Sequence, residues 1–375
     1  MAKQAYVYSG TEWVPLASEV TNLSAYQTKA LNQYPNRNLI INGAMQVAQR
    51  ATSVASITTS GYNTADRYRV AIATLGTWTQ SVENDAPTGS GFRKSLKMLC
   101  TTADASPAAG DEVSISQNIE GQNLQHIKKG TAAAEQLTIS FWVKANVTGT
   151  YIVNIADVDN SREVSKSYTI SSSATWEYKT ITFPADTTGA FDNDNGLSLS
   201  LSFCLGAGSN YTSGTLQQTW AANTTANRFV GQTNVASATN NYWQITGIQL
   251  EVGDTATPFE FKKYANEFID CQRYYQVIAY IVGTCLNSTT ITGRTPFPVT
   301  MRANPTISGT GVLNWQSDGL GGNTTQSSFG VTNNNSVPDA LSADFTNYTG
   351  LTAGRHGTLA YPANNSNRIT ASAEL

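Results

Sequence analysis

Charge is scarce in this chain. Of 375 residues only 13% are Asp, Glu, Lys or Arg, about half the usual share near 25%. The net charge of −3 leaves no basic footprint for nucleic acid. Histidine is nearly absent, with His126 and His356 alone, so a Ser or Cys nucleophile has almost no base to take its proton. No G-x-S-x-G surrounds any serine. Cys100, Cys204, Cys271 and Cys285 lack C-x-x-C spacing, which argues against zinc and for four reduced thiols in a chain assembled in a cytoplasm. No run of about 18 apolar residues occurs, so membrane insertion by a helix is not expected. The opening MAKQAYVYSG has no apolar core of a secretion signal. What is present is 40% hydrophobic and 10% aromatic residues, too much for a disordered chain. Uncharged Ser, Thr, Asn and Gln must therefore cover most of the surface.

The pattern predicts an all-β protein in three parts. Residues 1–35 hold a short aromatic strand-like piece (Tyr6, Tyr8, Trp13), then Leu16, Val20, Leu23, Gln27, Ala30 and Tyr34 at 4-3-4-3-4 spacing. That spacing is the seam of a short helix that could pair with copies of itself; an extended linker ending at Pro35 is the open alternative, because so short a helix is marginal alone. Residues 36–262 read as a jelly-roll-like β-sandwich. Leu197, Leu199, Leu201, Phe203 and Leu205 alternate with Ser198, Ser200, Ser202 and Cys204, a period of two that buries one face. Leu137–Val143 and Tyr151–Ile155 repeat it. In YWQITGIQLEVG the phase slips at Gly247, where a bulge would restore facing. Phe261, Tyr264, Ala265, Phe268 and Ile269 then predict a short helix over 259–270, and RYYQVIAYIV (273–282) a strand. Residues 263–375 make a distal β domain.

Paired carboxylates are the enzymatic option. Glycosidases need two carboxyls about 5–9.5 Å apart across a sugar; Asp157, Asp159 and Glu163 lie close together, as do Asp192 and Asp194. A polar turn accounts for the first group more simply. Asp192, Asn193, Asp194 and Asn195 offer oxygens of the kind Ca²⁺ takes but miss the D-x-D-x-D-G register, so an Asx-rich turn is preferred and no metal or cofactor is expected. Sugar binding suits the composition better, since aromatic faces stack on pyranose rings while amides and hydroxyls match their oxygens. Trp243 shares the apolar phase of its strand and reads as core; Trp142 opposes Phe141 and reads as exposed or subunit-facing. Trp315, Tyr348, Arg355, His356 and Tyr361 sit in polar, Gly-containing distal stretches and are the sugar-binding candidates, although aromatics are more often buried.

NRNLIINGAMQVAQR (36–50) and GYNTADRY (61–68) resemble the opening of the sugar-binding-like sandwich of bacteriophage tail fibres. ITGIQLEVGDTATPFEFKKYANEFIDCQRYY (245–275) resembles its close. PFPVTMRANPTISG (296–309) and the final ITASAEL resemble the distal domain of such fibres, and AYVYSGTEWVPLASEV (5–20) the attachment end of virion proteins from phages of marine cyanobacteria. The resemblance implies a carbohydrate-binding-module-like sandwich, a homotrimer, and a place on the phage tail. Residues 1–35 would dock to a tail or adaptor protein, and the distal domain would meet a host surface glycan such as lipopolysaccharide. The chain is thus expected to be a non-enzymatic receptor-binding fibre. A polysaccharide depolymerase, and a head fibre or purely structural tail component, remain the alternatives.

Overall fold

The computed structural model describes residues 6–8, 13–15, 36–317, 324–326, 329–333, 335–360 and 368–375. The candidate seam Leu16, Val20, Leu23, Gln27, Ala30 and Tyr34, and the candidate Tyr361, lie outside the described residues. Near the start, Tyr6–Tyr8 and Trp13–Pro15 pair as an antiparallel hairpin. The larger sheets are all antiparallel β, and the longest helix among the described residues has nine residues. No helix among the described residues is long and apolar enough to cross a membrane.

Two antiparallel sheets form the central sandwich. The first runs, edge to edge, through Ala221–Ala222, Arg162–Ile170, Gly149–Asp157, Leu197–Ala207, Glu112–Glu120, Arg69–Ala73 and Gly61–Tyr62. The second runs through Glu177–Phe183, Leu137–Ala145, Tyr242–Val252, Ser95–Thr102, Thr77–Glu83 and Ser53–Ile57. Alternation explains why they face each other. Leu199, Leu201, Phe203 and Leu205 from one sheet and Ile139, Phe141, Val143, Trp243 and Ile245 from the other share one core, and each such side chain gains about 1.5–3 kcal/mol from leaving water. Trp243 is fully buried as its phase predicted, donating to the Tyr168 hydroxyl at 3.2 Å. The slip at Gly247 is a bulge: pairing with Leu137–Ala145 shifts between Thr246 and Gln249. Gly247 has φ +64°, and the Phe92 ring stands where its Cβ would be. All four cysteines are buried and free.

The segment after the sandwich departs from expectation. The helix spans Tyr264–Gln272, not 259–270. Phe259 and Phe261 instead precede the helix and pack against Phe92, with ring centroids 4.9 and 5.1 Å away. Their spacing of two is that of a strand rather than a helix, and both rings turn to Phe92. RYYQVIAYIV is likewise not one strand. It breaks at Ala279 into Tyr275–Ile278 and Tyr280–Cys285, which enter different sheets.

The distal part has its own core, built around Ile281, Trp315, Phe345, Leu359 and Ile369. Its three-stranded sheet is ordered Tyr275–Ile278, Arg368–Ser372, Thr306–Thr310. Its seven-stranded sheet is ordered Thr324–Gln326, Leu313–Ser317, His356–Ala360, Tyr280–Cys285, Ile291–Pro296, Ala340–Thr346, Gly330–Asn333. Buried ion pairs join this part to the sandwich. Arg273 grips fully buried Glu120 with two bonds of 2.8 and 2.7 Å. Burial alone would raise the Glu120 carboxyl, but the bonds from Arg273 and Tyr274 hold it below the usual range. Arg67, buried, bonds Glu374 and lies 3.5 Å from the Tyr274 ring centre. Asn118 and Tyr62 both donate to a main-chain oxygen of Leu375 at 2.9 Å.

Candidate functional site

In the distal sheet the strand period sorts side chains to two faces. Ile281, Gly283 and Cys285 point inward, so Tyr280, Val282 and Thr284 point out. Tyr280 is 68% exposed and Val282 63%. Register places Ala360, Thr358 and His356 beside them on one flank, and Arg294 and Thr292 on the other. His356 is exposed, and its Nδ1 lies 2.8 Å from the Thr284 hydroxyl. A shallow cavity of about 520 Å³ adjoins Arg294, lined also by Pro296, Asn335, Val337, Ala340 and Ser342. One face therefore offers an aromatic ring, an imidazole and hydroxyls, with the Arg294 cation at the edge of a hollow. By register the Asp344 carboxylate shares this face. This is equipment for binding a polar ligand with an apolar face.

The distal candidates fall into two groups. His356 stands on this face, and half-buried Arg355 precedes it, its carbonyl accepting from the Cys285 amide. Trp315 and Tyr348 are corrections: both are 1% exposed and belong to the core. Neither can stack on a sugar. Trp315 lies directly opposite Leu359 and shares its core with Leu313, and the ring also covers glycine, so that a Cβ on Gly357 would come within 2.9 Å of it. Tyr348 fills the same core and donates to the Leu313 carbonyl at 3.4 Å. Tyr280 and Arg294 were missed. In AYIVG both phases of the strand look apolar, so the exposed one carries no mark in the sequence.

Four of the carboxylates proposed for cleavage, Asp157, Asp159, Glu163 and Asp194, have structural work. Asp157 pairs with Arg162 and Ala156 with Glu163 in the strand register, so Asp157 and Glu163 lie on opposite faces of one sheet and cannot flank one sugar. Asp157 is buried against Lys129. Glu163, also buried, pairs with Arg228 at 2.7 Å and accepts from the Thr224 amide. Asp159 accepts from the Asp192 amide, and Asp194 from Gly196, as in an Asx turn. Asn195 reaches the distal part, donating to the Arg302 carbonyl at 2.6 Å. Among the described residues no group of three or more His, Cys, Asp or Glu side chains is placed to hold a metal ion.

No protein-family model and no curated protein matches this chain. Solved structures give partial likenesses. One is the enzymatically active domain of bacteriophage CBA120 tailspike protein 4, at 14% identity and TM-score 0.31, over 58% of this chain and 22% of that one. The chain thus spans about a fifth of the length of that domain. Another is a family 61 carbohydrate-binding module in complex with β-1,4-galactotriose, at 10% identity and TM-score 0.29, over 58% of this chain and 99% of that one. A third is the family 22 module and catalytic module of Clostridium thermocellum xylanase 10B complexed with xylohexaose, at 11% identity and TM-score 0.29, over 58% and 29% of the two chains.

Proposed function

We propose that the chain is a glycan-binding structural subunit of a phage virion, a tail fibre acting as a homotrimer. In this reading the N-terminal segment docks to the tail, the sandwich spaces the fibre, and the distal domain meets host polysaccharide. The observation that carries binding is the outward distal face of Tyr280, Thr284, Arg294 and His356 beside its hollow. Against cleavage stands the use of Asp157 and Glu163 in buried ion pairs on opposite faces. Each subunit would bind weakly, and trimeric display would raise avidity through effective concentration.

The test is adsorption of the purified full chain to marine cyanobacterial cells and to their purified lipopolysaccharide. Retention without shortening of the sugar chains is expected. Tyr280→Ala with His356→Ala should lower adsorption at least tenfold and leave the melting temperature nearly unchanged, since exposed substitutions shift stability by about 0.5 kcal/mol or less. Shortened sugar chains would convert the reading to a depolymerase. Adsorption that the double variant leaves intact would remove the site from this face.

A further inference from the structure

A second aromatic surface lies on the sandwich, away from the distal face. In Leu137–Ala145 the core takes Ile139, Phe141 and Val143, so Trp142 and Lys144 point outward. Glu177–Phe183 is the edge strand of that sheet, and it sets Tyr178 directly opposite Trp142. Their ring centroids are 5.2 Å apart, and Tyr178 is 46% exposed. Continuing the same register puts Trp176 opposite Lys144, whose ammonium lies 5.0 Å from the indole centre. None of these three aromatic residues belongs to the core.

The rim of this surface is polar and held in place. The Asp85 carboxylate pairs with Lys144 and accepts from Trp176 Nε1 at 3.3 Å and Gln244 Nε2 at 3.2 Å. The Asp85 side chain is still 46% exposed, so it keeps acceptor capacity toward solvent. Thr180, exposed, follows Tyr178 along the edge strand on the same face. The structure therefore has two half-buried indoles and an exposed phenol on the outer face of this sheet, fixed by packing and by one ion pair whose charges cancel. An outward-facing aromatic cluster is normally hidden in a core or interface. Here the flat rings suit the C–H face of a pyranose, and the rim supplies an acceptor and a donor for its hydroxyls.

We propose that Trp142, Trp176 and Tyr178 form a second glycan-contact surface that binds a neutral pyranose chain. The cancelled charge of Asp85 and Lys144 is what favours a neutral sugar. This inference shares the ligand class of the distal reading but none of its residues. The experiment uses the full chain carrying Tyr280→Ala and His356→Ala, so that distal binding is already disabled. Cellohexaose, xylohexaose and maltohexaose are titrated by calorimetry and by tryptophan fluorescence. Binding of at least one, with a change in indole emission, is expected. Adding Trp176→Ala and Tyr178→Ala should weaken that binding at least tenfold with the melting temperature little changed. The proposal is overturned if none of the three binds at millimolar concentration, or if the added substitutions leave affinity unchanged. It is also overturned if Tyr178→Ala lowers the mass in light scattering, because the face is then a contact between subunits.

Discussion

Replacing Lys129 with alanine is expected to cost the sandwich about 3–5 kcal/mol, the usual penalty for leaving a buried charge without its partner. Lys129 is 2% exposed, bonded to Asp157 and 3.0 Å from Asp186. Its ammonium also donates to the Thr188 and Gly189 carbonyls at 2.8 Å and lies 5.3 Å from the Phe191 and Trp220 ring centres. Every neighbour was arranged around a cation. Without it, Asp157 has lost its only ion-pair partner among the described residues, while Asp186 retains Arg162 at 2.8 Å. Calorimetry should show a lower melting temperature, by roughly 2–4 °C per kcal/mol for a unit of this size. Lys129→Met with Asp157→Asn should recover part of the loss by removing the stranded charge.

Acid should act through the same cluster. Burial pushes the Asp186 carboxyl up, but the bonds from Arg162 and Lys129 outweigh it and hold the group below its usual range. A carboxyl depressed in the folded state stabilises fully above its unfolded pKa, near 4 in model peptides. That contribution is lost as the pH falls through the lower folded value. The native chain should therefore keep this contribution down to about pH 4, and Lys129→Ala should lose more of it at any pH above that. A loss below about 1 kcal/mol would mean that the cluster is solvated rather than buried.

Trp315→Ala is expected to destabilise the distal part by about 3–5 kcal/mol, the cost of removing a large aromatic from a close-packed core. The ring lies against Gly283 and Gly357, and rigid glycine backbone cannot move in to fill the space. Thermal unfolding followed by near-ultraviolet circular dichroism should show the distal transition moving down, with adsorption lost only where that part unfolds. An unchanged melting temperature with reduced adsorption would place Trp315 on the surface instead.

The contrast between Leu201 and Trp315 shows what is legible in such a chain. Around Leu201, the facing positions are all large and apolar and the others mostly serine, so the period of two is explicit. In the distal sheet the inward positions include Gly283, Gly293 and Gly357, each lying under a large side chain from another strand or residue. A glycine beneath a tryptophan is as buried as a leucine, but it adds nothing to a hydrophobic pattern. The same limit hid Tyr280, whose strand is apolar in both phases, and misplaced Phe259 and Phe261, whose partner Phe92 lies more than 160 residues away in the chain. Trp142 was legible as an outward residue because it alternates with Phe141; its partners Trp176 and Tyr178 were not, because cross-strand neighbours are set by pairing.

The sequence by itself determined the all-β class, the buried face of each strongly alternating strand and the bulge at Gly247. Those follow from local period and backbone freedom. Only the tertiary structure decided which aromatic rings face water and which carboxylates are occupied by buried cations. It also decided where the distal part locks onto the sandwich through Arg67, Glu120, Arg273 and Glu374. Such features depend on strand register and on contacts between residues far apart in the chain, and no local pattern records which strands become neighbours.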